Sequence, residues 1–95
     1  MKIALLGYGK MGKTIEKIAI ERGHQVVLRI TENIEEQDLS QAEVAIDFSV
    51  PTAAFKNITT CFKNRLPVVS GTTGWLDNYY NAVTICEQEG AAFIY

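Results

Sequence analysis

The sequence predicts an α/β protein built on a doubly wound, Rossmann-type parallel sheet. Three observations predict it. Short apolar runs rich in β-branched residues alternate with longer stretches of helical period. Gly7-Tyr8-Gly9-Lys10-Met11-Gly12 matches G-x-G-x-x-G between the first run and the first helical stretch. Turn and loop chemistry, Asp47-Phe48-Ser49 and Ser70-Gly71-Thr72, follows the later runs as well. Strand, helix, strand, strand, helix, strand, helix, strand is the order of a parallel sheet with helices on both faces. Right-handed crossovers leave few topologies, and the expected strand order is 3-2-1-4-5.

Each element has its own signal. Lys2 to Leu6 reads as a buried strand ended by glycine. Lys10 to Arg22 reads as a helix with Met11, Ile15, Ile18 and Ala19 on its apolar face, and Gly23 is placed to end it. Gln25 to Ile30 is a second, β-branched strand, and Thr31 to Gln41 is polar without a period, a loop with at most a short turn. Val44 to Phe48 is the third strand. Pro51 suits the first turn of the next helix, where its missing N–H has no intrahelical use. That helix runs to about Asn64 with Ala54, Phe55, Ile58, Cys61 and Phe62 inward. Leu66 to Ser70 is a fourth strand and Leu76 to Glu89 a third helix, with Leu76, Tyr79, Tyr80, Val83 and Cys86 on one side. Ala91 to Tyr95 is a fifth strand. There is no internal repeat and no linker, so the chain is expected to end inside a domain.

Size and charge narrow the classes. Ninety-five residues suffice for one small core but are short for an enzyme holding both a dinucleotide and a substrate. The net charge of −2 argues against a nucleic-acid partner, which calls for basic excess. The apolar run at Met1–Gly7 is too short for a signal peptide and no run reaches a membrane span, so a cytoplasmic protein is expected. Cys61 and Cys86 lack metal or redox spacing and read as reduced thiols; no metal site is expected. His24, between a glycine and a strand, reads as a turn residue.

The glycine loop carries the chemistry. Gly7 permits the sharp turn, Gly9 lets a pyrophosphate approach the backbone, and Gly12 allows close helix packing. The helix start then offers N–H groups and partial positive charge to phosphates. A dinucleotide's adenine ribose is met about 20 residues on, where Asp or Glu favours NAD. Thr31 stands there with Glu32 beside it, while Arg29 and Lys10 could reach a 2′-phosphate. NADH or NADPH is therefore the expected cofactor, with mixed use or a lean toward NADPH.

Two further segments make the pattern specific. Ile46-Asp47-Phe48-Ser49-Val50-Pro51 and Ser70-Gly71-Thr72-Thr73-Gly74-Trp75 end the third and fourth strands. Together with G-Y-G-K-M-G, over essentially the whole chain, they resemble the 4-hydroxy-tetrahydrodipicolinate reductase family, with its D-F-S/T-x-P and G-T-T-G motifs. The short loop with Tyr8 is similar to that of the shorter bacterial members. The resemblance implies cofactor contacts at Gly7, Tyr8, Gly9, Lys10, Met11, Gly12, Thr31, Phe48, Ser49, Gly71, Thr72 and Thr73. Lys10 corresponds to the family's basic loop residue, and Thr31 with Glu32 to its pair after the second strand, where this sequence departs from the commoner acidic residue. Phe48 and Ser49 suit the ribose and pyrophosphate; Gly71, Thr72 and Thr73 suit the nicotinamide carboxamide. Asp47 is read as structural, accepting loop N–H bonds, and Trp75 as opening the core of the last helix.

The resemblance also implies hydride transfer from NADH or NADPH to a cyclic dicarboxylate in lysine and diaminopimelate biosynthesis, by enzymes that are commonly homo-tetramers. The family's A-S/A-N-F-S segment, its His-rich segment and its D-A-P-S-G-T are not among these residues. The expectation is thus a truncated dinucleotide-binding domain over 1–95, without catalytic residues, without the substrate and tetramerisation domain, and without reductase activity alone. Such a domain should expose apolar surface where the later strands and helices would pack, and self-associate or be marginally stable. Two other readings remain open: a regulatory nucleotide-binding Rossmann module without catalysis, and a methyltransferase-like domain for S-adenosylmethionine.

Overall fold

The computed structural model describes residues 1–72, 79–90 and 92–94; of 79, 80, 93 and 94 only the backbone is considered. The expected contributions of Thr73, Trp75 and Leu76, and the side-chain placement of Tyr79 and Tyr80, lie outside what is described.

Five strands form one sheet: β1 (Lys2–Leu6), β2 (Gln25–Ile30), β3 (Val44–Asp47), β4 (Val68–Ser70) and β5 (Phe93–Ile94). Three helices connect them: α1 (Lys10–Glu21), α2 (Pro51–Lys63) and α3 (Tyr79–Glu89). All four strand pairs are parallel. The doubly wound, Rossmann-type α/β class is as expected.

The strand order corrects the expectation. It is β2-β1-β3-β4-β5, not 3-2-1-4-5. The cause lies between β2 and β3. That stretch forms two 3-10 turns, Ile34–Glu36 and Leu39–Gln41, and buries Ile34 and Leu39 in the cluster that also holds Ala54 and Ile58 of α2. The link therefore crosses the α2 face and delivers β3 to the far side of β1. β2 is left as an edge strand, which suits its exposed Gln25 and Arg29.

Alternation along the strands builds two cores. Ala4, Leu6 and Ala45 point to the face covered by α2 and α3, with Ile58, Cys61, Phe62 and Ala82. Ile3 and Leu5 point to the α1 face, with Ala19 and Val26, and Val44 and Ile46 packed against them. β1 is thus buried on both faces from Ile3 to Leu6, as an interior parallel strand requires.

Two helix stripes differ from expectation. On α1, Gly12 and Ala19 are buried and Ile15 half-buried, but Met11 and Ile18 are 54% and 45% exposed. Among the described residues a single helix covers this face, and the outer part of its apolar stripe is left exposed. An aliphatic groove of about 310 Å³ remains there, lined by Ile3, Ile15, Ile18, Val44 and Ile46 among others. On α3, Ala82 is buried and Ile85 and Cys86 pack on the core, while Val83 is half-buried. The inward set of α2 is as expected, with Thr59 added; its hydroxyl bonds back to the Phe55 carbonyl at 2.8 Å, which removes the cost of burying it.

A register shift in β2 has a local consequence. Ile3 pairs with Val26, but Ala4 pairs with Leu28, so Val27 is an extra residue. Leu5 then pairs with Arg29 and turns Arg29 to the α1 face, which simple alternation from Val26 does not give.

Candidate functional site

The order of the strands reverses between β1 and β3: the chain winds from β1 toward β2 on one side and from β3 toward β4 on the other. Loops leaving the carboxyl ends of such a pair diverge and open a crevice, the usual ligand site of an open α/β sheet. Here the crevice measures about 360 Å³ and is lined by Gly7, Tyr8, Gly9, Thr31, Phe48, Ser49, Val50 and Ala53.

The glycine loop forms as its spacing demands. Gly7 has φ +93°, and a Cβ there would stand 2.6 Å from the Phe48 carbonyl oxygen. A Cβ on Gly12 would stand 2.6 Å from the Gly7 carbonyl oxygen, so this glycine lets α1 close onto the loop itself rather than onto the sheet. Above Gly9 there is open space, with nothing within 4 Å of where a Cβ would be. Gly9 is also the N-cap of α1, and neither a capping side chain nor a first-turn acid satisfies the helix start. Its N–H groups and partial positive charge remain available to an anion.

Opposite the glycine loop, the β3 loop is held by one carboxylate. Asp47 is fully buried and accepts hydrogen bonds from the hydroxyls of Ser49 (2.6 Å), Ser70 (2.9 Å) and Thr72 (2.8 Å), and from the Asn57 amide at 3.4 Å. The structural reading of Asp47 therefore stands, but its donors are side chains rather than the expected loop N–H groups. Its own carbonyl accepts from the Gly71 N–H at 2.8 Å. The knot ties the ends of β3 and β4 to α2 and sets Phe48 at the crevice mouth, its ring over Gly71. Cys61 lies buried near this carboxylate; desolvation, and then the Asp47 charge, push its thiol up to about 12.

The structure brings Gly7, Tyr8, Gly9, Thr31, Phe48 and Ser49 together around one space. Lys10 and Met11 stand exposed at the start of α1 outside that lining, and Gly12 is buried beneath the loop. Gly71 is exposed beside Phe48; Thr72 is buried, with its hydroxyl on Asp47 and the Ser49 carbonyl. Thr73 lies outside the described residues. Sequence reasoning missed Val50 and Ala53, although Pro51 marks the first turn of α2 and so the residues flanking it. Among the described residues no cluster of metal-ligating side chains exists, and no helix is long and apolar enough to cross a membrane.

Beside the crevice, Glu16 of α1 accepts a hydrogen bond from the Tyr8 phenol and an ion-paired fork from Arg29, whose Nε lies at 2.9 Å. The Arg29 and Lys13 cations each lie 5.9 Å from the centre of the Tyr8 ring, within cation–π range. Arg29 first, and then Tyr8, hold the Glu16 carboxyl at about 2; in return the hydrogen bond to Glu16 holds the Tyr8 phenol above its ordinary value.

Fold and crevice together define a Rossmann-type α/β domain with a candidate ligand crevice at the switch point behind a glycine loop. Residues 20–95 match the family model described as dihydrodipicolinate reductase, N-terminus. Across its whole length the chain is 63% identical to 41% of the 4-hydroxy-tetrahydrodipicolinate reductase of Christiangramia forsetii. It is 36% identical, over 85% of the chain and 37% of the relative, to the enzyme of the same name from Staphylococcus aureus strain MRSA252. The chain belongs to the dihydrodipicolinate reductase family and corresponds to its N-terminal part. It spans about two fifths of the length of these curated relatives. Among solved structures, homoserine dehydrogenase from Thermoplasma acidophilum superposes with a TM-score of 0.73 at 14% identity, over all of this chain and 42% of that one. A hyperthermophilic archaeal homoserine dehydrogenase mutant in complex with NADPH gives 0.68 at 15%, over 99% of this chain and 43% of that one. At these identities the likeness speaks for the fold.

Proposed function

We infer that residues 1–95 hold NADH or NADPH for a 4-hydroxy-tetrahydrodipicolinate reductase, which reduces a cyclic dicarboxylate in lysine and diaminopimelate biosynthesis. The observation that carries this reading is the space over Gly9, at the uncapped start of α1 and facing Phe48 and Ser49 across the switch point. A pyrophosphate fits there on chemical grounds. It needs backbone approach and N–H donors, and a phosphate at a helix start gains roughly 0.3–1 kcal/mol from the dipole. Thr31, at the end of β2, meets the adenine ribose, and the Phe48 ring supplies an apolar wall. The nicotinamide, when bound, supplies the hydride; the residues of this chain bind and orient it.

Among the described residues the crevice is lined by no acid or base beyond the hydroxyls of Tyr8, Thr31 and Ser49. The one histidine, His24, stands beside the amino terminus at the start of β2, the opposite end of the sheet. In this reading, substrate binding and protonation fall to the part of the family's length that this chain does not span. Assembly into a homo-tetramer and a cytoplasmic site of action accompany this reading, supported by the family membership alone. Thermal shift with NADPH, NADH, AMP and S-adenosylmethionine tests it. Stabilisation by the dinucleotides well beyond AMP is expected; stabilisation by S-adenosylmethionine alone, or by none of the four, overturns it.

A further inference from the structure

The Tyr8–Glu16–Arg29 cluster is not needed to hold a pyrophosphate, yet it joins three elements at the adenosine end of the crevice. Arg29 is the penultimate residue of β2, and an arginine near the end of that strand is the usual receptor for a 2′-phosphate. In this chain its fork is already engaged. Nε and Nη2 both donate to Oε2 of Glu16, while Oε1 receives the Tyr8 phenol. The extra residue Val27 is what turns Arg29 toward α1 and makes the pairing possible. Glu16 is well shielded, with a side chain 12% exposed, whereas Arg29 is 42% exposed; the pair meets the crevice through Tyr8, which lines it.

We propose that Glu16 is a specificity-determining positioning residue: by latching Arg29 to α1 beneath Tyr8, it withholds the guanidinium from a 2′-phosphate and leaves the site suited to the unphosphorylated ribose of NADH. A 2′-phosphate approaching Arg29 meets the Glu16 carboxylate behind it and finds the Nε–Nη2 edge of the guanidinium already used. The free 2′-hydroxyl meets no such competition and finds Thr31 and Glu32 at the strand end. This rests on the dinucleotide reading above and assigns the discrimination within it.

The test is the ratio of NADH to NADPH dissociation constants, measured by calorimetry on the chain Met1–Tyr95. Both constants come from one preparation, so a partly unfolded fraction cancels from the ratio. The unsubstituted chain is expected to bind NADH at least as tightly as NADPH. Glu16→Gln, which keeps the shape and removes the charge, should move the ratio toward NADPH by about fivefold or more, the scale of a released charge-assisted contact. The double variant Glu16→Gln/Arg29→Gln removes both charges and should return the ratio to within about twofold of the unsubstituted chain. It also decides the matter if the single variant fails to fold. If Arg29 already served the phosphate, the double variant would lose NADPH selectively, and the proposal would be overturned. A ratio unmoved in Glu16→Gln, or moved toward NADH, overturns it too while the dinucleotide reading survives. An unsubstituted chain that binds neither nucleotide removes that reading and the proposal with it.

Discussion

At the scale of single residues, the glycines of one loop do different work, and substitution separates them. Gly7 is held at φ +93° with a carbonyl oxygen where its Cβ would go, so Gly7→Ala should cost about 1–3 kcal/mol of stability in urea denaturation. Gly9 has free space on that side, so Gly9→Ala should cost less than about 1 kcal/mol, the difference between these residues as caps. The same methyl occupies the place of the pyrophosphate and should weaken dinucleotide binding roughly tenfold or more, about 1.4 kcal/mol or above. Equal binding by Gly9→Ala and the unsubstituted chain would contradict this placement of the phosphates. Asp47 is the other decisive residue. Asp47→Asn replaces one acceptor oxygen by a donor amide facing hydroxyl groups, and should destabilise by about 2–4 kcal/mol. A variant as stable as the parent would mean that the knot contributes nothing. Asp47 was legible as structural from its place at a strand end. Its partners were not, because Ser49, Asn57, Ser70 and Thr72 converge only when β3, β4 and α2 are assembled.

At the scale of elements, the helices and strands were legible because their hydrophobic periods are strong, and their neighbours were not. The stretch 31–41 shows two isolated apolar residues, Ile34 and Leu39, in a polar run, which no periodicity marks as core. Those two side chains anchor the β2–β3 link across the α2 face and so decide the strand order. Arg29 was ambiguous for a related reason: one extra residue at Val27 reverses the face of every later side chain in β2, and a bulge leaves no signature in the sequence. The resulting bond between β2, α1 and the glycine loop depends on the Glu16 charge. The folded-state value of that carboxyl is about 2, below its ordinary 4.5, chiefly through Arg29. A group with a depressed value contributes stability above its unfolded value and loses it as pH falls through the folded one. The latch should therefore be intact above about pH 4.5 and open as the pH approaches about 2. The Arg29 Nε–H resonance reports this directly; a transition centred at 4.5 would show that the ion pair is not formed in solution.

At the scale of the whole molecule, the sheet separates a packed side from a partly covered one. α2 and α3 close one face, whereas α1 alone serves the other and leaves the aliphatic groove by Ile18 and Val44. Apolar surface is exposed in that groove and at Met11 and Ile20 of α1. Site and groove lie apart: the crevice is at the carboxyl ends of the strands, while the groove runs toward Met1 and His24 at their amino ends. The glycine loop, D-F-S-V-P and G-T-T-G were readable as one site from sequence because each follows a strand, and all parallel strands end on the same edge. What the sequence did not show is that Gly71 and Thr72 stand further back: Gly71 lies beside Phe48, and the Thr72 hydroxyl faces the Asp47 knot.

In the proposed function this crevice holds a nicotinamide dinucleotide along the start of α1. The most direct measurement is a titration of the isotopically labelled chain with NADH and NADPH, following backbone amide resonances. Saturable shifts are expected at Gly7, Gly9, Thr31, Phe48 and Ser49, with Ile3, Ile18 and Val44 of the groove unmoved. Shifts centred on the groove, or no saturable shift at the glycine loop, would contradict it.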